Sequence, residues 1–181
     1  MIKKYLFLLC SIFFMNAVQA QEDAPVSVEK NQFKINMLFP GFVYEHGFDT
    51  KNTLYSEISL GIGYSYSSYF NESNTYIFPM ITEQFRHYYN LEKRMQKGKK
   101  TAHNSANYLA FNASYNFKPL SGDTPYFRYI PTFTVAALWG LQRTYKRKFN
   151  LEFNIGPGLS FANDTEIVPV GNFTLGWVIG K

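Results

Sequence analysis

In the run Phe149-Asn150-Leu151-Glu152-Phe153-Asn154-Ile155, every apolar side chain falls at an odd position and every polar one at an even position. An extended chain turns successive side chains to opposite faces, so this run is a strand with one apolar and one polar face. The period recurs on both sides of it. Phe133, Val135, Ala137, Trp139 and Leu141 oppose Thr132, Thr134, Gly140 and Gln142; after the run, Phe173, Leu175, Trp177 and Ile179 oppose Asn172, Thr174 and Gly176. A tight basic turn, Lys146-Arg147-Lys148, joins the first two of these strands. A chain organised this way must build sheets whose two faces meet different surroundings.

Upstream the pattern is the same. Leu54, Ile58, Leu60, Ile62, Tyr64 and Tyr66 face away from Tyr55, Glu57, Ser59, Gly61, Gly63 and Ser65. Leu109, Phe111, Ala113, Tyr115 and Phe117 face away from Tyr108, Ala110, Asn112, Ser114 and Asn116. Over residues 76–90, Ile77, Pro79, Ile81 and Phe85 form one row and Thr82, Gln84, Arg86 and Tyr88 the other; Glu83 falls on the apolar row, which calls for a bulge or a place near an interface. Phe33, Ile35 and Met37 alternate with Lys34 and Asn36 until the phase shifts at Pro40-Gly41 to Phe42 and Tyr44, the mark of a bulge or a reversal. Seven strands are clear, and single-chain bacterial barrels have an even number, so a split of the N-terminal region into strands over residues 26–38 and 42–48 supplies the eighth. Polar connections are expected at residues 47–52, 69–75, 91–105, 119–125 and 162–166, with a helical turn at 91–95.

Residues 1–20 are set apart from the fold. Lys3 and Lys4 precede a short apolar run, and Val18-Gln19-Ala20 is a small-residue cleavage pattern, so the segment reads as a secretory signal peptide cleaved after Ala20; an uncleaved anchor is the alternative. Residues 21–31 read as a polar periplasmic lead-in and residues 32–181 as one barrel domain. The only cysteine, Cys10, lies inside the apolar run, which leaves the exported chain without disulfide or thiolate metal chemistry. Without Lys3 and Lys4 the formal charge of +5 falls to +3, and Lys93, Arg94, Lys97, Lys99 and Lys100 concentrate much of the positive charge in one segment. The high charge is therefore a local basic patch, suited to anionic lipid headgroups or a partner protein, and no nucleic-acid surface is expected.

Alternation alone does not separate a soluble, lipocalin-like barrel from a membrane barrel. The identity of the two faces does. Aromatics are 19% of the chain and occupy nearly every apolar row, and that many rings would overfill a small interior. Turned outward they suit lipid, and the interior then receives Gly, Ser, Thr, Asn and a few charges. The reading is all-β: a small antiparallel up-and-down transmembrane barrel of about eight strands. Its lumen would hold a polar network of Glu57, Gln84, Arg86, Arg128, Gln142 and Glu152, with Lys34 and Glu45 as further candidates, because buried charges require paired, hydrogen-bonded partners. Such a network closes the lumen to solutes.

The export signal, the tight turns at residues 47–52 and 145–148, the polar loops at the other strand ends and the terminal strand resemble the small outer-membrane barrels of Gram-negative bacteria, the OmpA and OmpX type. Arg86-His87-Tyr88-Tyr89-Asn90-Leu91 and Trp139-Gly140-Leu141-Gln142-Arg143 further resemble largely uncharacterised exported barrels of that kind. The resemblance implies an outer-membrane location, outer-membrane lipid and the barrel-assembly machinery as partners, a monomer, and a structural or surface-interaction role. Two other classes remain in view. A narrow pore or small-ligand transporter needs an open lumen past Gly61 and Gly140. A lipid- or peptide-modifying enzyme needs Glu45, His46 and His87 gathered at one rim. No catalytic, cofactor or metal residues are assigned, since His46, His87 and His103 lack ligand spacing and Gly61-Ile62-Gly63 and Gly156-Pro157-Gly158 lack a nucleophile.

Overall fold

The computed structural model describes residues 26–69, 71–121 and 129–179. The expected signal peptide, Cys10 and Arg128 lie outside the described residues, as does part of the 119–125 loop. Eight antiparallel strands form one closed barrel in chain order: β1 (Asn31–Asn36), β2 (Gly41–Gly47), β3 (Asn52–Ser67), β4 (Glu72–Tyr88), β5 (Asn107–Asn116), β6 (Thr132–Thr144), β7 (Phe149–Phe161) and β8 (Thr165–Ile179). A six-residue helix α1 (Leu91–Gln96) follows β4, and a 3-10 turn (Lys146–Lys148) joins β6 to β7. In that turn Arg147 and Lys148 take φ of 57° and 59°, left-handed positions that reverse the chain within three residues.

The N-terminal region does split in two, but earlier and shorter than its apolar phase suggests. The reversal occupies residues 37–40, ahead of Gly41, and β1 is only six residues long. Residues 26–30 pack instead of pairing as strand: Val28 is buried and its N–H donates to Thr50 O at 3.1 Å. At the opposite end, residues 72–74 and 165–166, expected as loops, already belong to β4 and β8. Polar residues continue these ladders because the pairing needs only backbone groups. Glu83 causes no bulge. The β3–β4 register runs unbroken, and Glu83 stays on the outer face, where Ser56 directly opposite donates to it at 2.7 Å.

The connections divide between the two ends. Residues 26–30, 48–51, 89–106 and 145–148 lie at one end with the last described residues of β8; residues 37–40, 68–69, 71, 117–121, 129–131 and 162–164 lie toward the other. The 91–105 connection is more than the solvated turn its polarity suggests. Leu91 and Ala106 are buried against Val28, Tyr88 and Tyr108, and Gln142 Nε2 donates to His103 O at 2.8 Å, so this segment closes the lumen at its end. Glu29 and residues 103–104 fasten the lead-in to it, with Glu29 N–H donating to Asn104 Oδ1 at 2.7 Å and His103 N–H to Glu29 Oε1 at 3.0 Å.

Two fold predictions follow from close contacts. A Cβ at Gly140 would stand 2.3 Å from the ring of Tyr108 on the neighbouring strand, so Gly140→Ala should lower stability by about 1–3 kcal/mol through overpacking, read as a shifted urea midpoint. An unchanged midpoint would refute that reading. In the 48–51 turn, the Asn52 side chain, then the N–H groups of Lys51 and Asn52, hold the Asp49 carboxyl below the usual carboxylate range. A lowered folded pKa adds stability that is present above the unfolded pKa and lost as pH falls through the folded one. Wild type should therefore exceed Asp49→Asn in stability at neutral pH, with the difference shrinking in acid.

Candidate functional site

The phase of each strand decides which side chains enter the barrel. Lys34 of β1, Glu45 of β2, Tyr55 and Glu57 of β3, Gln84, Arg86 and Tyr88 of β4, Tyr108 of β5, Gln142 of β6 and Glu152 of β7 all point inward and are buried. Together they form one network. Glu152 is its hub: Oε1 accepts from Arg86 Nη2 at 2.5 Å and from Tyr108 OH at 2.9 Å, while Oε2 lies 3.3 Å from Lys34 Nζ. Lys34 Nζ also reaches Glu45 Oε2 at 3.2 Å and Gln142 Oε1 at 2.9 Å. Glu45 accepts at its other oxygen from Thr53 Oγ1 at 2.8 Å and Tyr88 OH at 2.7 Å. Arg86 completes its contacts through Nε to Gln84 Oε1 at 2.8 Å, and Gln84 in turn donates to Asn112 at 3.0 Å.

Five of the six residues expected in the lumen network are thus found inside, and Glu57, Gln84, Arg86, Gln142 and Glu152 are joined there by Lys34 and Glu45. Glu57 sits at the edge of the cluster, accepting from Asn36 Nδ2 at 2.7 Å and Tyr55 OH at 2.8 Å. What the sequence reasoning missed are the tyrosines. Tyr55, Tyr88 and Tyr108 are fully enclosed, their hydroxyls donating to Glu57, Glu45 and Glu152, and the Arg86 guanidinium lies 3.6 Å from the Tyr55 ring centroid and 4.4 Å from that of Tyr108. The Tyr55 and Tyr108 rings each shield a cation while their hydroxyls serve anions; the Tyr88 ring packs against Tyr108, and its hydroxyl serves Glu45. The signal was available: Tyr55 shares the phase of Glu57, and Tyr88 that of Arg86.

The network balances two cations, Lys34 and Arg86, against two acids, Glu45 and Glu152; Glu57 carries no ion pair among the described residues. Charges held this way are paired and hydrogen-bonded within the lumen, which offsets the cost of burying them. The rim trio weighed for an enzyme is not assembled. Glu45 points into the lumen, while His46 lies 2.9 Å from Asn31 Oδ1 and His87 2.8 Å from Asn52 Oδ1 at the outer rim. Among the described residues no three His, Cys, Asp or Glu side chains are placed to hold a metal ion.

The basic segment lies at the closed end. Lys93 and Arg94 are on α1, and Lys97, Lys99 and Lys100 follow it. Arg94 Nη2 donates to Lys100 O at 3.0 Å and Lys100 Nζ to Tyr145 O at 3.2 Å, which sets the segment beside the Lys146-Arg147-Lys148 turn; Lys93, Lys97 and Lys99 are exposed. Comparison with protein-family models, curated proteins and solved structures gives no match to this chain.

Breaking the hub tests its coupling. Glu152→Met should cost roughly 3–5 kcal/mol, because it strands the buried Arg86 and leaves Lys34 with Glu45 alone, whereas Arg86→Met/Glu152→Met should cost less than the sum of the two single changes. Unfolding midpoints of the four proteins read the coupling directly; strict additivity would mean that the pair does not act as a unit.

Proposed function

We propose that this chain is an integral β-barrel of a Gram-negative outer membrane, exported by its N-terminal segment, with a structural or surface-interaction role and a lumen closed to solutes. The observation that carries the proposal is an inversion of the usual inside and outside. Arg86 and Glu45 are fully enclosed, whereas Phe42, Ile58 and Phe111 are 69%, 65% and 61% exposed. In water such an arrangement would desolvate the charges and leave a continuous apolar belt wet, which monomeric soluble proteins avoid. In a bilayer both choices are favourable.

The belt is also layered as a bilayer would require. Near the closed end it carries Phe33, Tyr44, Phe48, Phe85, Trp139, Phe149 and Trp177, several in ring contact, and Trp139 Nε1 donates to Tyr89 OH at 2.9 Å. Toward the other end come Tyr64, Tyr66, Tyr115, Phe117, Phe133 and Phe161. Ile58, Ile62, Ile77, Ile81 and Leu159 lie between them. Two aromatic girdles around an aliphatic zone are the pattern of small outer-membrane barrels, the OmpA and OmpX type. Glu83 sits two residues from Phe85 of the lower girdle, where a carboxylate bonded by Ser56 is tolerated at modest cost. The closed, basic end would then face the periplasm, with Lys93, Lys97 and Lys99 toward anionic headgroups or a partner protein, and residues 68–69, 71 and 162–164 outside. Closure of the sheet makes a monomer sufficient.

The mature protein should be recovered from outer membranes only with detergent, show β-type circular dichroism there, and change gel mobility on boiling. Recovery as a soluble periplasmic protein would overturn the proposal. In planar bilayers the wild type should conduct no more than background, as the plug demands. Changing Lys93, Lys97 and Lys99 together to Gln should leave the mobility shift intact and weaken binding to anionic vesicles; loss of barrel formation would show that these lysines serve the fold instead.

A further inference from the structure

The two N-terminal strands are low. β1 and β2 have six and seven residues, whereas β3, β4 and β8 have 16, 17 and 15, and a tilted strand needs roughly 9–11 to cross a bilayer. Pairing of β8 with β1 covers only residues 176–179, and β2 pairs with β3 only as far as Ser59. One backbone bond on each side extends the hairpin, Met37 N–H to Leu175 O at 2.8 Å and Leu60 N–H to Pro40 O at 2.9 Å. Beyond it, among the described residues, 61–67 of β3 and 165–174 of β8 have no strand on that side, which leaves a notch in the wall above the β1–β2 turn.

Behind the notch, directly above the charged plug, is a cavity of ≈ 210 Å³. That exceeds the roughly 150 Å³ apolar void that accepts benzene. Its inner wall is polar, with Glu57, Ser59, Gln84, Asn112 and Asn154. Its lining also includes Phe39 of the turn and two residues on the outward faces of the flanking strands, Ile62 of β3 and Gly171 of β8, which places its mouth in the notch. Among the described residues, two groups on the inner wall are incompletely matched: Ser59, 4% exposed, has a hydroxyl with no hydrogen bond, and Glu57, hydrogen-bonded to Asn36 and Tyr55, is the buried acid that the plug leaves without a cation.

We propose that this cavity is a side-entry binding site for a small cationic amphiphile. Its ammonium group donates to Glu57 and Ser59, and its apolar part lies outward past Phe39 and Ile62 through the notch. A positive head supplies the charge that Glu57 lacks, and a buried unpaired carboxylate disfavours an anion. An apolar tail suits a mouth that opens through the barrel wall rather than at its end. The site depends on the barrel geometry and holds whether or not the outer face meets lipid.

The test uses the detergent-purified, heat-modifiable barrel titrated with benzylamine, benzyl alcohol, benzoate and 4-butylbenzylamine, with empty micelles subtracted, by calorimetry or ligand-observed NMR. Benzylamine should bind, benzyl alcohol at least tenfold more weakly, and benzoate not measurably. The butyl group should tighten binding severalfold by filling the notch. Glu57→Gln should reduce benzylamine to the level of the alcohol. Ser114→Trp, which fills the cavity from the facing wall without touching the ion pairs, should abolish binding with the mobility shift retained. Benzoate binding as well as benzylamine, no binding by benzylamine, or a folded Glu57→Gln barrel with unchanged selectivity would overturn the cationic site. A butyl group that weakens binding would overturn side entry. Should Glu57→Gln fail to fold, the wild-type selectivity series and Ser114→Trp decide the question.

Discussion

Everything in this barrel depends on the desolvation of four charges buried within its lumen. Lys34, Glu45, Arg86 and Glu152 come from β1, β2, β4 and β7, and none of them is tolerable inside without the others. That requirement reaches back to register. In a sheet with side chains of period two, a slip of one residue in any of these strands would send its charge outward and an aromatic inward. The plug therefore selects the strand alignment as firmly as the hydrogen-bonded ladder does, and the apolar belt outside is the other half of the same alignment.

The tyrosines explain how so compact a plug can be dry. A carboxylate buried among groups that cannot donate would keep unsatisfied lone pairs, and a guanidinium among aliphatic groups would lose hydration without return. Tyr55 and Tyr108 answer both needs, with ring faces against Arg86 and hydroxyls on Glu57 and Glu152, and Tyr88, packed on Tyr108, gives its hydroxyl to Glu45. Glycine makes one of them fit. Tyr108 lies across the bare backbone of Gly140 on the adjacent strand, so a residue without a side chain on β6 is the space in which a ring from β5 is housed.

Much of this was legible in the amino-acid sequence, because alternation is a local property and the barrel is assembled from local alternation. The phase of Phe149–Phe161 and of Asn52–Ser67 assigns Glu152 and Glu57 to the interior before any partner is known. The rest was obscured for physical reasons. Tyrosine composition points outward while tyrosine phase points inward, and burial followed phase. Strand ends beyond the apolar belt need not be apolar, so Glu72 and Thr165 look like loop residues yet extend their strands. The lead-in and the 91–105 connection look solvated, but Val28, Leu91 and Ala106 are spaced along chain stretches that only the closed barrel brings together. Nor could alternation reveal the notch, which depends on where the β1–β2 hairpin stops rather than on which way its side chains face.

Among the described residues, the seam between the first and last strands is the shortest in the sheet, four residue pairs between β1 and β8. Lys34 stands within it, and its ammonium bridges Glu45 of the N-terminal hairpin to Glu152 of β7. Zipping the seam and neutralising the core are consequently a single event. An open sheet of β3 to β8 would hold Arg86 against Glu152 but would lack the second cation, and a hairpin waiting outside would carry its own charges solvated. A barrel sealed with β1 one residue out of alignment at this edge would turn Lys34 out of the lumen and leave Glu45 and Glu152 there one cation short.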